Sequence, residues 1–356
     1  MTHIGILGGG GISDTHARAA VAIPEVRVAA VCGGNAAKVQ QLAKQYDATA
    51  YQDLAAFLKH RPMEVVAIGS PSGLHGDQAE AVAAAGLHVL IEKPLEISTA
   101  RADRIIHAVD RAGVKLSVCF QDRENPRLGL VKQWIDAGYV GTPLLVSARV
   151  KWYRPPEYYA QSRWRGTWTL DGGGALMNQG IHTVDLLLWW LGDVARVSAR
   201  AKTLLHRIEV EDTVVATLEF ASGAVGTLEA TTAAYPGYPR RVELTGTNGT
   251  VAIEQDRMVT CDLRDKPAEV QHALSSQDAD TNAQAASPIV SDARGHQRVL
   301  EDLLTAIATG RRPKCDAHEG RRSVAVVEAI YESSRSGRPV EVDRPSPLPS
   351  PRGERG

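Results

Sequence analysis

The chain has 356 residues, and its 40 Lys and Arg stand against 41 Asp and Glu, which leaves a formal net charge of −1. With 44% hydrophobic and 5% aromatic residues, this is the composition of a soluble globular protein of about two domains; the balanced charge, without a basic block, speaks against capture of nucleic acid or of an anionic membrane. Cys32, Cys119, Cys261 and Cys315 lie far apart with no C-x-x-C pair, so neither a zinc knuckle nor a disulfide scaffold is expected, and with no signal-peptide pattern or membrane-spanning run the expected compartment is the cytoplasm.

From the N-terminus, short apolar runs alternate with helical patterns: Ile4–Leu7 then Asp14–Ala22, Val26–Val31 then Ala36–Tyr46, Val65–Ile68 then Gly76–Ala85, Val89–Ile91 then Thr99–Ala112, and Val114–Phe120. Near-continuous Val/Ile/Leu strands separated by helices predict a doubly wound α/β half, a Rossmann-type parallel sheet covered on both faces. Beyond Phe120 the strands lengthen and alternate: Leu144–Trp152, Val194–Ala201, Val214–Phe220, Ala224–Ala230, Arg241–Leu244 and Thr250–Glu254. The links Ala221-Ser222-Gly223 and Thr247-Asn248-Gly249 are hairpin chemistry, so this second half reads as α+β on a mostly antiparallel sheet. A helix over Ile181–Leu191, stopped by Gly192, should bury its leucines on that sheet. Asp265–Ser291 is polar and aperiodic and reads as a long loop; helices near His296–Ala308 and Glu319–Ser334 follow, and Pro345–Gly356 reads as a disordered Pro-rich tail. The expected division is 1–121 for nucleotide binding, 122–344 for substrate binding and oligomerisation, and 345–356 for the tail.

The first strand runs into Gly8-Gly9-Gly10-Gly11-Ile12-Ser13, a G-x-G-x-x-S turn that opens the first helix. Gly8, Gly10 and Gly11 let a pyrophosphate approach the backbone, Ile12 and Ser13 begin the helix whose N-terminus offers N–H groups, and Ser13 is small enough for the third-glycine position. An acidic residue reading the adenosine ribose should fall about twenty positions later. Gly33 stands there, in a stretch from Cys32 to Lys38 without a carboxylate. Asn35 is placed to cap the second helix and Lys38 to meet a phosphate in its first turn, which tilts the choice between NAD and NADP toward NADP. Ser70, Pro71 and His75 follow the strand Val65–Ile68, and Glu92-Lys93-Pro94 follows Val89–Ile91; loops at the carboxyl ends of such strands face the ligand. A lysine before a proline is held by stiff backbone, in a geometry that admits a cis bond.

Three motifs together, Gly8-x-Gly10-x-x-Ser13, Glu92-Lys93-Pro94 and the run from Asp171-Gly172-Gly173-Gly174 through Asn178-Gln179-Gly180-Ile181-His182 to Asp185, resemble the Gfo/Idh/MocA family of oxidoreductases over Met1 to about Val342. The resemblance implies an N-terminal dinucleotide-binding domain, a C-terminal sheet whose open face forms a homodimer or homotetramer interface, and redox chemistry on a secondary alcohol of a sugar or polyol. It implies that Lys93 binds the reacting hydroxyl, that His182 is the catalytic histidine and that Asp185 helps to hold substrate. Asn178 stands where inositol dehydrogenases carry Asp, which argues against a plain inositol dehydrogenase. The Cys32–Lys38 stretch is similar to the run by which glucose-fructose oxidoreductase holds NADP.

Alcohol oxidation needs a hydride acceptor, a base and a donor for the developing alkoxide. His182 suits proton exchange near neutral pH, Lys93 can stabilise the alkoxide, and Asn178 cannot titrate and can only orient. His182 and Asp185, three apart, share a helix face, but no third ligand is spaced to complete a metal site with them, so no metal is expected. Trp152, Tyr153, Trp164, Arg165 and Trp168 precede Asp171; aromatic faces match the C–H surfaces of sugars, and Trp164, Arg165 and Tyr153 are the expected substrate contacts. The leading expectation is an NAD(P)-dependent sugar or polyol dehydrogenase. A redox-neutral glycoside-processing enzyme using transient oxidation, and a non-enzymatic nucleotide sensor or scaffold, are the competing expectations.

Overall fold

Val65–Ile68 is buried along its whole length and Val89–Ile91 likewise, as apolar strands must be when helices cover both faces of a sheet. A computed structural model of the chain describes residues 1–265, 267–268, 270–271 and 292–343. Its first sheet contains β1 (Thr2–Leu7), β2 (Val26–Cys32), β3 (Thr49–Tyr51), β4 (Val65–Ile68), β5 (His88–Ile91) and β6 (Leu116–Val118), all parallel, in the order β3-β2-β1-β4-β5-β6. The helices between them are α1 (Gly11–Val21), α2 (Ala36–Gln45), α3 (Leu54–Leu58), α4 (His75–Ala84) and α5 (Thr99–Ala112). The order reverses between β1 and β4, and at such a switch point the loops beyond the carboxyl ends diverge and leave a crevice. The loops after β1, β4 and β5 are the ones that carry Gly8–Ser13, Ser70–His75 and Glu92–Pro94. β3 and α3 escaped the sequence reading because elements of three and five residues are too short to show a period.

Helices α6 (Pro126–Asp136), capped by Asn125, and α7 (Pro156–Ala160) flank the first strand of the second sheet. That sheet contains β7 (Pro143–Lys151), β8 (Val194–Lys202), β9 (Thr213–Phe220), β10 (Val225–Thr231), β11 (Arg241–Gly246), β12 (Gly249–Glu254), β13 (Arg257–Leu263) and β14 (Val340–Glu341), in the order β13-β12-β11-β7-β10-β9-β8-β14. Every neighbouring pair is antiparallel except β7 with β10. Residues alternate buried and open along β7, β9 and β10, so one face is core and the other is bare. Helix α8 (Ile181–Leu191) lies on the core face: Leu186, Leu187 and Leu188 share a cluster with Val146, Val150, Leu218 and Leu228.

The last two helices, α9 (Arg294–Thr309) and α10 (Ala317–Ser336), return toward the first sheet. Val299, Leu300 and Leu303 of α9 pack with Ile4, Ile6, Val28 and Val31. Helix α10 sits between the sheets, with Val324 and Ile330 in the core cluster that holds Val197 and Val118. The bond from Val118 N–H to Cys315 O (2.8 Å) ties the edge strand β6 to the chain just before it. A cut at Gln121 therefore separates the sheets but not the packing, because α9 covers the first sheet. All four cysteines are free, buried thiols, and among the described residues no helix is long and apolar enough to cross a membrane. Apart from Asp265 and a few residues after it, the loop expected over 265–291 lies outside the described residues, as does the whole expected tail.

Candidate active site

The turn after β1 has the form that the glycines predict. Gly8 has φ +127°, and a Cβ there would stand 2.4 Å from Ser13 Oγ and 2.7 Å from Gly69 O, so only glycine fits. A Cβ on Gly10 or Gly11 would meet nothing within 4 Å: the space above the start of α1 is open, and Gly10, the cap, offers no side chain to fill it. That opening, at a helix N-terminus of an 11-residue helix, fits a dinucleotide pyrophosphate. Ser13 Oγ is buried beneath it without a partner. The loop after β2 borders this turn: a Cβ on Gly33 would touch Gly8, and one on Gly9 would lie 3.3 Å from Lys38 Cβ. Asn35 caps α2 by accepting from Lys38 N–H (3.1 Å), and Lys38 itself is exposed.

The next two loops are joined to each other. His75, buried, puts Nδ1 2.9 Å from Pro94 O and Nε2 3.1 Å from Ser70 O, and burial lowers its pKa against the pull of those carbonyls. The sequence reading expected His75 at the cofactor; the structure makes it a strut between loops, while Ser70 Oγ donates to Gln78 (2.7 Å) and Pro71 caps the turn Ser72–Leu74. Glu92 is likewise turned inward. Its Oε1 lies 3.0 Å from His16 Nε2 and 3.2 Å from His296 Nε2, and although burial opposes it, these imidazoles hold the carboxyl well below the usual carboxylate range. Glu92, Cys119 and His296 bring donor atoms within 4.8 Å of one another, a buried cluster that spacing could not reveal; the two imidazoles already engage the carboxylate. The Lys93–Pro94 bond is cis.

Lys93 crosses to the second half: its Nζ donates to the backbone oxygen of Asn178 (2.7 Å). Burial lowers its pKa, offset in part by Glu92 and Asp171. Asn178 belongs to a π-type turn, Ala175–Gly180, which runs directly into α8. Glu211, buried at the start of the following strand region, grips that turn. Its carboxylate accepts from Gly174 N–H (2.9 Å), Leu176 N–H (2.8 Å) and the Tyr331 hydroxyl (3.0 Å), and its own carbonyl accepts from Ala175 N–H (3.0 Å). A Cβ on Gly174 would lie 1.7 Å from that carbonyl, which is why the chain has glycine at the point of closest approach. Burial pushes the Glu211 carboxyl up to about 7.

His182, one residue into α8, has Nδ1 buried without a partner and the Phe120 ring edge-on at 5.7 Å. Burial, with help from Lys93, pushes its pKa down to about 3, so it is neutral at pH 7. Asp171, which the sequence reading quoted only as part of a motif, accepts from Gly166 N–H (2.9 Å) and from Asn178 Nδ2 (2.7 Å), and burial raises it to about 6. Around this centre lie Tyr158, Gln179, Trp164 and Arg165: the Gln179 amide donates to the Tyr158 hydroxyl and to Asn178 Oδ1 (3.3 Å each), and the Arg165 guanidinium stacks on Tyr158. Lys93, Asn178, His182 and Arg165 are thus brought together, with Trp164 beside Arg165.

Two expected contacts are not. Asp185 is fully buried, and both its oxygens are taken by Arg123 (2.9 and 2.8 Å); the pair ties α8 to the chain before α6. Tyr153 packs edge-on against Tyr235 at 5.2 Å and bridges to Ala233, outside the hydrogen bonds that join Lys93, Asn178 and Asp171. The residues that sequence reasoning missed, Tyr158, Asp171, Gln179 and Glu211, lack a spacing signal; Asp171 and Gln179 were visible only as members of the glycine-rich run.

Comparison with known proteins agrees with this arrangement. Residues 2–120 match the model of an oxidoreductase family with an NAD-binding Rossmann fold, and residues 129–252 match the GFO/IDH/MocA C-terminal domain. Among curated proteins, D-xylose 1-dehydrogenase (NADP(+)) 2 of Haloferax volcanii is 28% identical over 95% of this chain and 99% of its own length. Inositol 2-dehydrogenase of Rhizobium meliloti is 25% identical over 95% and 98%. Among solved structures, the WlbA dehydrogenase from Bordetella pertussis, in complex with NADH and UDP-GlcNAcA, is 33% identical, covers 97% of this chain and 98% of its own, and superposes with a TM-score of 0.88.

Proposed function

As this chain belongs to the Gfo/Idh/MocA family of oxidoreductases, we propose that it moves a hydride between a nicotinamide dinucleotide and a secondary ring hydroxyl of a sugar or polyol, with Lys93 and His182 as the catalytic pair. The observation that carries the reading is the bond from Lys93 Nζ to Asn178 O, which brings the lysine of the nucleotide half against the segment that bears His182. The bound nicotinamide supplies the hydride acceptor. Gly8, Gly10, Gly11, Ile12 and Ser13 would hold its pyrophosphate at the start of α1, and the loops of Ser70–Pro71 and Lys93 would border its reactive end.

The chain's own part is proton handling and orientation. His182 has an unpartnered ring nitrogen that is free of a proton at pH 7 and is assigned the hydroxyl proton in this reading, although burial and Lys93 make its imidazole a weaker base than the near-neutral one expected from the sequence. Lys93 remains a donor that stabilises charge developing on the same oxygen, and it does so in a site of low polarity where such a bond is strong. Asn178 presents its carbonyl to Lys93 and its amide to Asp171, which fixes the lysine's direction. Mixing the purified protein with NAD or NADP and a panel of pentoses, hexoses and inositols should give net accumulation of reduced nicotinamide. Turnover without such accumulation would replace this reading with a redox-neutral one.

For the cofactor, the proposal favours NADP. Lys38 is exposed beside the glycine turn and Asn35 leaves its N–H groups accessible, and the stretch from Cys32 to Lys38 holds no carboxylate to repel a 2′-phosphate. Lys38→Ala should raise the Kd for NADP several-fold and leave that for NAD nearly unchanged; a wild type that binds NAD more tightly would reverse the preference.

A further inference from the structure

Arg165 is a firmly held cation that makes no ion pair among the described residues. Its guanidinium carbon lies 4.3 Å from the centre of the Tyr158 ring and 5.1 Å from that of Trp164, so aromatic faces fix its plane. Its Nε is buried without a hydrogen-bond partner, and among the described residues no carboxylate lies within 4.0 Å of its nitrogens. Three buried guanidiniums behave differently: Arg123 grips Asp185, Arg240 grips Asp122 and Arg321 grips Asp103, while a fourth, Arg154, donates to Tyr153 O (2.8 Å). A buried or half-buried guanidinium without an acceptor is costly unless a ligand supplies one.

The surroundings have the same sign. Arg165 is close enough to Lys93 to disfavour that lysine's charge, and Arg154, buried, stacks on the same Tyr158 ring. The acid within reach of both Arg165 and Lys93 is Asp171, and its two oxygens are already committed to Gly166 N–H and Asn178 Nδ2. Gln179 Oε1, buried beside them, has no donor and is suited to accept from a sugar hydroxyl. One face of the site therefore offers acceptors and stacking for a polyhydroxylated ring, and the other offers a planar fork of N–H donors.

Resting on the dehydrogenase reading above, we propose that the substrate is an anionic sugar, one that bears a carboxylate or a phosphate, and that Arg165 receives the anionic group while Lys93 and His182 act on a ring hydroxyl. Arginine's fork matches both anions two bonds at a time. The test uses matched pairs that differ only in the anion: D-glucose against D-glucuronate, D-glucose against D-glucose 6-phosphate, and UDP-glucose against UDP-glucuronate, each with the cofactor-saturated protein. The expected result is a preference in kcat/KM of about 10-fold or more for the anionic member of at least one pair, and which pair shows it separates a carboxylate from a phosphate. Arg165→Met should collapse that ratio and Arg165→Lys should keep part of it, with both variants retaining the wild-type melting temperature within a few degrees. Equal use of both members of every pair, or a ratio that Arg165→Met leaves intact, overturns the proposal. If nothing is turned over, calorimetry on the NADPH-loaded protein decides: anion-selective binding that Arg165→Met abolishes upholds the anion site while the dehydrogenase reading fails for these sugars, and unselective or absent binding overturns the anion site itself.

Discussion

Lys93 and His182, the proposed catalytic pair, stand out in the sequence because each lies inside a motif that resembles the family's: a lysine before a proline, and a histidine at the start of a leucine-rich helix. In the proposed mechanism, replacing either removes a proton acceptor or the donor to the alkoxide, and each loss is worth about two to four orders of magnitude in rate. His182→Ala and Lys93→Met should therefore lower kcat at least 100-fold with an unchanged far-ultraviolet circular dichroism spectrum; near-normal kcat in either would remove that residue from the mechanism. His75 and Glu92 turn inward in the structure for a reason that the sequence does not carry. Loop position along the sequence shows that a side chain is near the crevice, but its direction depends on partners such as Pro94 O for His75 and His16 and His296 for Glu92, and these come from other loops and from α9.

Among the elements, α8 matched its expected span, since a run of leucines closed by Gly192 is a strong local signal. The π-type turn ahead of it left no such trace: its shape is imposed by Glu211, which arrives from 35 to 37 residues away. That grip makes a prediction about pH. The Glu211 carboxyl sits at about 7 in the folded chain against an ordinary 4.5, so the folded state holds this proton more tightly than the unfolded state. Its contribution to stability is full below pH 4.5 and is lost as the pH rises through 7, a change of up to about 3 kcal/mol. Denaturant melts of wild type and Glu211→Gln from pH 4.5 to 8 should show the wild type losing ground steadily relative to the variant over that interval. A constant difference between the two would mean that the carboxyl is ionised throughout.

At the scale of the whole molecule, the two-sheet plan was readable from apolar periodicity and hairpin links, whereas the strand order and the long-range ties were not. Asp185 is the clearest case. The family resemblance put it on the substrate, but Arg123, 62 residues earlier, binds both its oxygens and also reaches Glu319 on α10 (2.9 Å). Asp185 thus joins the chain before α6, α8 and α10 inside the core. Asp185→Asn leaves a buried guanidinium with half its partner, and breaking such a pair costs about 3 to 5 kcal/mol; the melting temperature should fall by several degrees, while KM for sugar in the surviving folded fraction stays close to wild type. A raised KM with unchanged stability would return Asp185 to the substrate site.

The return of α9 to the first sheet has a consequence for how the chain is made. Synthesis proceeds from the N-terminus, so β1 to β6 leave the ribosome long before Val299, Leu300 and Leu303 exist to cover Ile4, Ile6 and Val28. For the time needed to translate about 180 further residues, at roughly 5 to 20 residues per second, the nascent nucleotide half carries an apolar flank that α1 and α2 cover only in part. The last helices act as its closing plate, and a chain that stalls before Arg294 leaves the ribosome with that flank open to chaperones and to other unfinished chains.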